Sequence, residues 1–160
     1  MTTKQLILLV EDDEAQGKQI VKLIDSLNRY DVVWAKNGVE ALDILRRYEH
    51  FFGFADNEIK CILLDIHMPE MNGLQFLKVL RKKENKKLFQ RYIPVVFLTA
   101  FEDDEKWNSA VAGMIADYIR KPFTKEKLEN TLMRILDDWD GETMVDQTRE
   151  KGLERRRRKQ

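Results

Sequence analysis

The fold class predicted by this 160-residue chain is α/β: an open, doubly wound sandwich built on a five-stranded parallel sheet. Three observations predict it. Apolar runs alternate with helical patterns five times along the chain. The runs are nearly continuous rather than alternating, which marks strands covered on both faces. Each run also ends in polar or charged residues. With right-handed crossovers, the working site of such a sandwich lies beyond the carboxyl ends of the strands, where strand order reverses.

The first strand is "LILLV", residues 6–10. In "QIVKLIDSL", Ile20, Leu23, Ile24 and Leu27 share one helical face, and Asp13 and Glu14 read as first-turn residues favoured by the helix dipole. "DVVWA", 31–35, is the second strand. Asn37 opens the next helix as an N-cap, with Glu40 three residues on in the manner of a capping box. "CILLD", 61–65, is the third strand, followed by Leu74, Leu77 and Leu80 at helical spacing. "IPVVFLTA", 93–100, is the fourth, with Pro94 near its start, where proline is tolerated. A short helix, "DDEKWNSAVAG", closes at Gly113. "ADYIRK", 116–121, is the fifth strand, and a last helix carries Leu128, Leu132, Ile135 and Trp139 on one stripe.

Hydrophobic residues are 43% of the chain, enough for a core. Lys and Arg number 28, equal to Asp and Glu, so net charge gives no general attraction to nucleic acid or anionic membrane. No apolar run reaches membrane-spanning length, and the N-terminus turns acidic too soon for a signal peptide. The single cysteine, Cys61, sits in an apolar run as a core filler, and a cytoplasmic home is expected. Composition changes near residue 140. Residues 1–139 form the expected domain, and 140–160 a charged extension, helical or disordered, ending in a solvated basic run at 155–159.

The strand ends carry the chemistry. Glu11, Asp12 and Asp13 follow the first strand, Asp65 ends the third, Thr99 and Ala100 the fourth, and Lys121 with Pro122 the fifth. A carboxylate at the end of a buried strand is costly unless it has a partner or a task. Two carboxylates about 5 Å apart repel by roughly 3 kcal/mol at an effective dielectric near 20. Partial protonation relieves this, and so does a hard divalent cation such as Mg²⁺ or Mn²⁺. A phosphoryl group on Asp65 would find its oxygens neutralised by the metal, the Lys121 ammonium and the Thr99 hydroxyl.

The motifs "LLVEDDE", "LLDIHMPEMNG", "VVFLTA" and "YIRKPF", in that order at successive strand ends, resemble the receiver domain of two-component response regulators over residues 4–139. The resemblance implies a flavodoxin-like (βα)₅ sandwich with strand order 2-1-3-4-5. It implies Asp65 as phosphoacceptor, and Mg²⁺ held by Asp12, Asp65 and the main-chain carbonyl of His67, with Glu11 acting through water. It further implies Thr99 and Lys121 as the groups that meet the phosphoryl oxygens, a cis bond before Pro122, a small Ala100 for access, and Tyr118 as an aromatic switch. The expected function is that of a single-domain response regulator, not an enzyme in its own right, taking a phosphoryl group from a sensor histidine kinase. Its output would pass through the face of the fourth helix, fifth strand and fifth helix, to a downstream protein target or a homodimer; no DNA-binding domain fits in the tail.

Three features depart from the commonest pattern. His67 and Phe101 occupy positions that tune water access, and a bulky Phe101 is expected to prolong the phosphorylated state. "RRYEHFFGFADNEIK", 46–60, reads as a long connection whose Phe51, Phe52 and Phe54 tuck beneath it, loosely like the regulators that partner phytochromes. "RKKENKKLFQRYIP", 81–94, is long in the same way. Two other readings compete. A phosphohydrolase of the haloacid dehalogenase type wants an aspartate two residues after the nucleophile, where His67 stands. A receiver-like domain acting without phosphorylation is disfavoured by the intact Asp12, Asp65, Thr99 and Lys121.

Overall fold

The computed structural model describes residues 4–51, 59–86, 92–100 and 111–138. Its strands are β1 (Gln5–Val10), β2 (Tyr30–Ala35), β3 (Ile59–Asp65), β4 (Val95–Thr99) and β5 (Asp117–Arg120). They form one sheet in the order β2-β1-β3-β4-β5, and every neighbouring pair is parallel. The helices are α1 (Glu14–Leu27), α2 (Gly38–Phe51), α3 (Gly73–Glu84) and α5 (Lys125–Asp138). The expected α4, residues 103–113, lies outside the described residues up to 110; Gly113 has φ 81, the left-handed geometry of a helix-closing glycine. The extension 140–160 and Trp139 also lie outside them.

Strand periodicity divides the core in two. Leu8, Val10, Ile62, Leu64, Val95 and Phe97 pack against Ala41, Ile44 and Leu45 of α2 and Phe76, Leu77 and Leu80 of α3. Ile7, Leu9, Cys61, Leu63, Val96 and Leu98 meet Ile20, Ile24 and Leu27 of α1 and Leu128, Leu132 and Ile135 of α5. Successive residues thus bury on opposite faces, so the stretches Leu6–Val10, Cys61–Leu64 and Val95–Leu98 are apolar without interruption. Full burial pushes the Cys61 thiol up to about 12, and it acts as core. Among the described residues no helix is long and apolar enough to cross a membrane.

Local chemistry moves several expected boundaries. Asp13 is the N-cap of α1, accepting from the Gln16 N–H, rather than a first-turn residue. Asn37 accepts from the Glu40 N–H at 2.8 Å, but Glu40 Oε2 accepts from Lys36 N–H at 2.7 Å, one residue earlier than a capping box requires. A complete capping box is formed by Asn72 and Gln75, which open α3. The long connection read over 46–60 is mostly regular structure: α2 runs to Phe51 and β3 starts at Ile59. Phe52 and Phe54 lie outside the described residues. Likewise Arg81–Glu84 complete α3.

β4 starts only at Val95, because Pro94 has no N–H and Ile93 turns its own N–H to Glu84 Oε1 at 2.9 Å. This contact belongs to a buried ion pair. Arg81 donates from one terminal nitrogen to Glu84 Oε2 at 2.6 Å, from the other to the carbonyls of Ile93 at 3.0 Å and Met114 at 2.7 Å, and from Nε to Met114 at 2.9 Å. The pair ties the end of α3 to the segments that enter β4 and β5.

Candidate functional site

The site lies past the carboxyl ends of the central strands, where β1 connects to β2 on one side and the chain crosses to β3 on the other. Glu11, the residue after β1, is held at every polar group. Its N–H donates to the Ala35 carbonyl at 3.1 Å, and its carbonyl accepts from the Trp34 indole Nε1–H at 2.8 Å. Its Oε1 accepts from the Asp13 N–H at 3.1 Å and its Oε2 from Lys121 Nζ at 2.6 Å. It is 1% exposed, whereas Asp12 beside it is open to solvent.

Asp65 closes β3 and is 7% exposed. Gly73, at the start of α3, makes that position possible: a Cβ there would stand 2.4 Å from the Asp65 carbonyl oxygen, and the Gly73 N–H donates to the Ile66 carbonyl at 2.9 Å. Lys121 follows β5; its N–H donates to the Thr99 carbonyl at 2.7 Å, and its bond to Pro122 is cis. Its ammonium reaches Asp65 Oδ1 at 3.3 Å and Gln16 Oε1 at 2.9 Å as well as Glu11. Glu11, Asp12 and Asp65 each offer one oxygen, all within 4.8 Å of one another.

Burial raises the Asp65 carboxyl above its usual range; Lys121 pulls it down, and Asp12 pushes it further up. Burial likewise raises Glu11, opposed by the hydrogen bond from Lys121 and reinforced by the charge of Asp65. Among the described residues, Lys121 thus reaches two of the three clustered carboxylates, and the cluster keeps an excess of negative charge. An all-oxygen donor set, two members buried and one open to water, fits a hard divalent cation that retains part of its water shell, as Mg²⁺ does.

Thr99, 4% exposed, ends β4 beside this group. Tyr118 lies on the edge strand β5, opposite Phe97 in register, and is 41% exposed. His67 is exposed two residues past Asp65, and its side chain is not part of the carboxylate cluster; the expectation for it concerned only its main-chain carbonyl. Phe101 lies outside the described residues. Sequence reasoning missed Gln16, Trp34 and Gly73. The Asn-Gly pair was a signal for Gly73, whereas no local pattern identifies the other two.

Residues 7–133 match the family model of the response regulator receiver domain. The chain is 31% identical over 137 residues to a probable methanogenesis regulatory protein, FilR2, of Methanothrix harundinacea, covering 85% of this chain and 84% of that one. It is 32% identical over 136 residues to a chemotaxis protein CheY homolog of Campylobacter jejuni, covering 84% and 95%. Among solved structures, it resembles the receiver domain of sensor histidine kinase PA1611 from Pseudomonas aeruginosa, which has a magnesium ion coordinated in its active site cleft. That likeness has a TM-score of 0.67 and 29% identity over 84% of this chain and 99% of that one. Chemotaxis protein CheY4 of Vibrio cholerae shares the fold, with a TM-score of 0.69 at 23% identity over 84% and 100%.

Proposed function

The chain belongs to the response regulator receiver domain family, and from that premise we propose that it is a phosphorylation-dependent switch with Asp65 as its phosphoacceptor. The observation that carries this reading is the clustering of Glu11, Asp12 and Asp65, two of which, Glu11 and Asp65, share the Lys121 ammonium. A structural cluster would balance its charges; this one leaves room for added cation and, once that is bound, for an anion.

In the proposed reaction a carboxylate oxygen of Asp65 attacks the phosphorus of a phosphohistidine on a partner sensor histidine kinase. The P–N bond breaks, the imidazole leaves with its electron pair, and an aspartyl phosphate remains. Asp12, Asp65 and the His67 carbonyl, with Glu11 acting through water, would hold Mg²⁺, which would supply positive charge to the phosphoryl oxygens. Lys121 reaches both Glu11 and Asp65 from one nitrogen, so it can follow the developing charge with little movement. The Thr99 hydroxyl takes another phosphoryl oxygen.

The new charge biases a two-state element. Thr99 shifts toward the phosphoryl group, and the outward Tyr118 ring turns into the space released. The surface around α4, β5 and α5 then changes its preference for a downstream protein target or a second copy of this chain. A single buried cysteine agrees with the cytoplasm as the compartment of this exchange.

The test is incubation with acetyl phosphate and Mg²⁺, followed by intact mass and size-exclusion chromatography. Wild type should gain one phosphoryl group and Asp65→Asn none. Equal uptake by both proteins, or no uptake by wild type, sinks the proposal.

A further inference from the structure

We propose that Trp34 is a positioning residue for the acidic pair, its indole N–H and ring setting the orientation of the Glu11–Asp12 peptide and so the affinity of the site for a divalent cation. This rests on the reading of the carboxylate cluster as a Mg²⁺ site. Trp34 lies on the edge strand β2, in register with Leu9, and touches none of the acidic side chains in the hydrogen bonds it makes. Its Nε1–H instead donates to the Glu11 carbonyl at 2.8 Å, across 23 residues of chain. That oxygen belongs to the peptide joining the two acidic residues. Because a peptide is planar and stiff, pinning its oxygen also orients the bond to the Asp12 Cα.

A second, independent feature holds the indole there. A Cβ at Gly17 would stand 2.0 Å from Cζ2 of the ring, so the first turns of α1 leave a space that only glycine allows the indole to fill. The ring thus lies between β2 and α1, and its donor reaches the loop that joins β1 to α1. Its outer side is covered by Lys36, with the ammonium 5.8 Å from the ring centroid. Partners that orient metal ligands from one step away are worth about ten-fold in affinity or more. An aromatic residue serving only as packing would affect the melting temperature and leave the affinity of the folded protein unchanged.

The experiment is titration of purified full chain with MgCl₂ by isothermal calorimetry, with a thermal melt on each protein. Trp34→Phe keeps most of the ring and loses the donor; it should weaken Mg²⁺ binding about ten-fold. Gly17→Ala keeps the indole but displaces it, and should weaken binding in the same direction; it carries the test if Trp34→Phe does not fold. Unchanged affinity in a folded variant of either kind overturns the inference while leaving the Mg²⁺ site intact. Absence of Mg²⁺ binding by wild type overturns the reading of the site itself, and this inference with it.

Discussion

Two buried ionic clusters sit at opposite edges of the same sheet, and they are built differently. At the edge where strands β4 and β5 begin, one guanidinium meets one carboxylate, and the remaining donors of Arg81 go to the carbonyls of Ile93 and Met114. Glu84 in turn accepts from Arg81 and from the Ile93 N–H. At the edge where β1 and β3 end, the described residues bring three carboxylates together, one of them open to water, and the Lys121 ammonium reaches two of them. The first cluster pairs its buried charges and is closed, and it joins α3 to the sheet. The second is negative and open, so it still has charge to offer a ligand. On the reading proposed above, a buried charge alone does not mark a functional site; the uncompensated remainder does.

The largest effect should come from opening the closed cluster. Arg81→Met strands the buried Glu84 and two carbonyls, and should destabilise the fold by about 3–5 kcal/mol in urea unfolding. Replacing Glu84 with Met as well should recover part of that loss, since no charge is then left buried. A single variant within about 1 kcal/mol of wild type would break the contrast between the two clusters.

The open cluster should respond in the opposite direction. Asp65→Asn in metal-free buffer removes one of three crowded carboxylates and should stabilise the fold by about 1–2 kcal/mol, despite the lost contact with Lys121. In saturating Mg²⁺ that advantage should shrink or reverse, because only wild type keeps its full set of ligands. Clear destabilisation without metal would mean that the site is balanced like the Arg81 pair.

The smallest effect is the pH dependence. Burial raises the folded carboxyls of Asp65 and Glu11 above their ordinary values of 3.8 and 4.5. The native state therefore holds these protons more tightly than the unfolded chain, so their contribution to stability is fully present below those ordinary values. It is lost as the pH rises through the raised folded values. Glu84, raised by burial despite Arg81, contributes with the same sign. Mg²⁺ favours the ionised form, so adding it should remove the part due to the site and leave that of Glu84. Melts across mildly acidic pH, with and without Mg²⁺, separate the two; identical curves would contradict the assignment of metal to the acidic cluster.

The open cluster was largely legible in the sequence, and the closed one was not. Glu11 and Asp12 are the first two residues after an apolar run, Asp65 ends another, Lys121 follows the last strand, and parallel strands bring such ends to one edge. Arg81 and Glu84 sit in a stretch rich in lysine and arginine that reads as a solvated connection, and nothing local marks Arg81 as a residue that turns inward. The Asn72 box escaped notice for a related reason, since Gln75 signals a cap only once the helix start is known. The Asn37 cap was legible, but the carboxylate of Glu40 found the Lys36 N–H instead, a choice made by loop geometry.

The sequence by itself determined the alternation of strands and helices, the residues each strand leaves at its end, and the residue types available for an acidic site. These follow from periodicity and side-chain chemistry, which act over a few neighbouring residues. Only the tertiary structure decided that Lys121 binds Glu11 more closely than Asp65, that Gln16 is its third acceptor, and that the Trp34 indole holds the Glu11 carbonyl. Those contacts join groups 110, 105 and 23 residues apart, so they depend on the path of the whole chain and the space left by its packing.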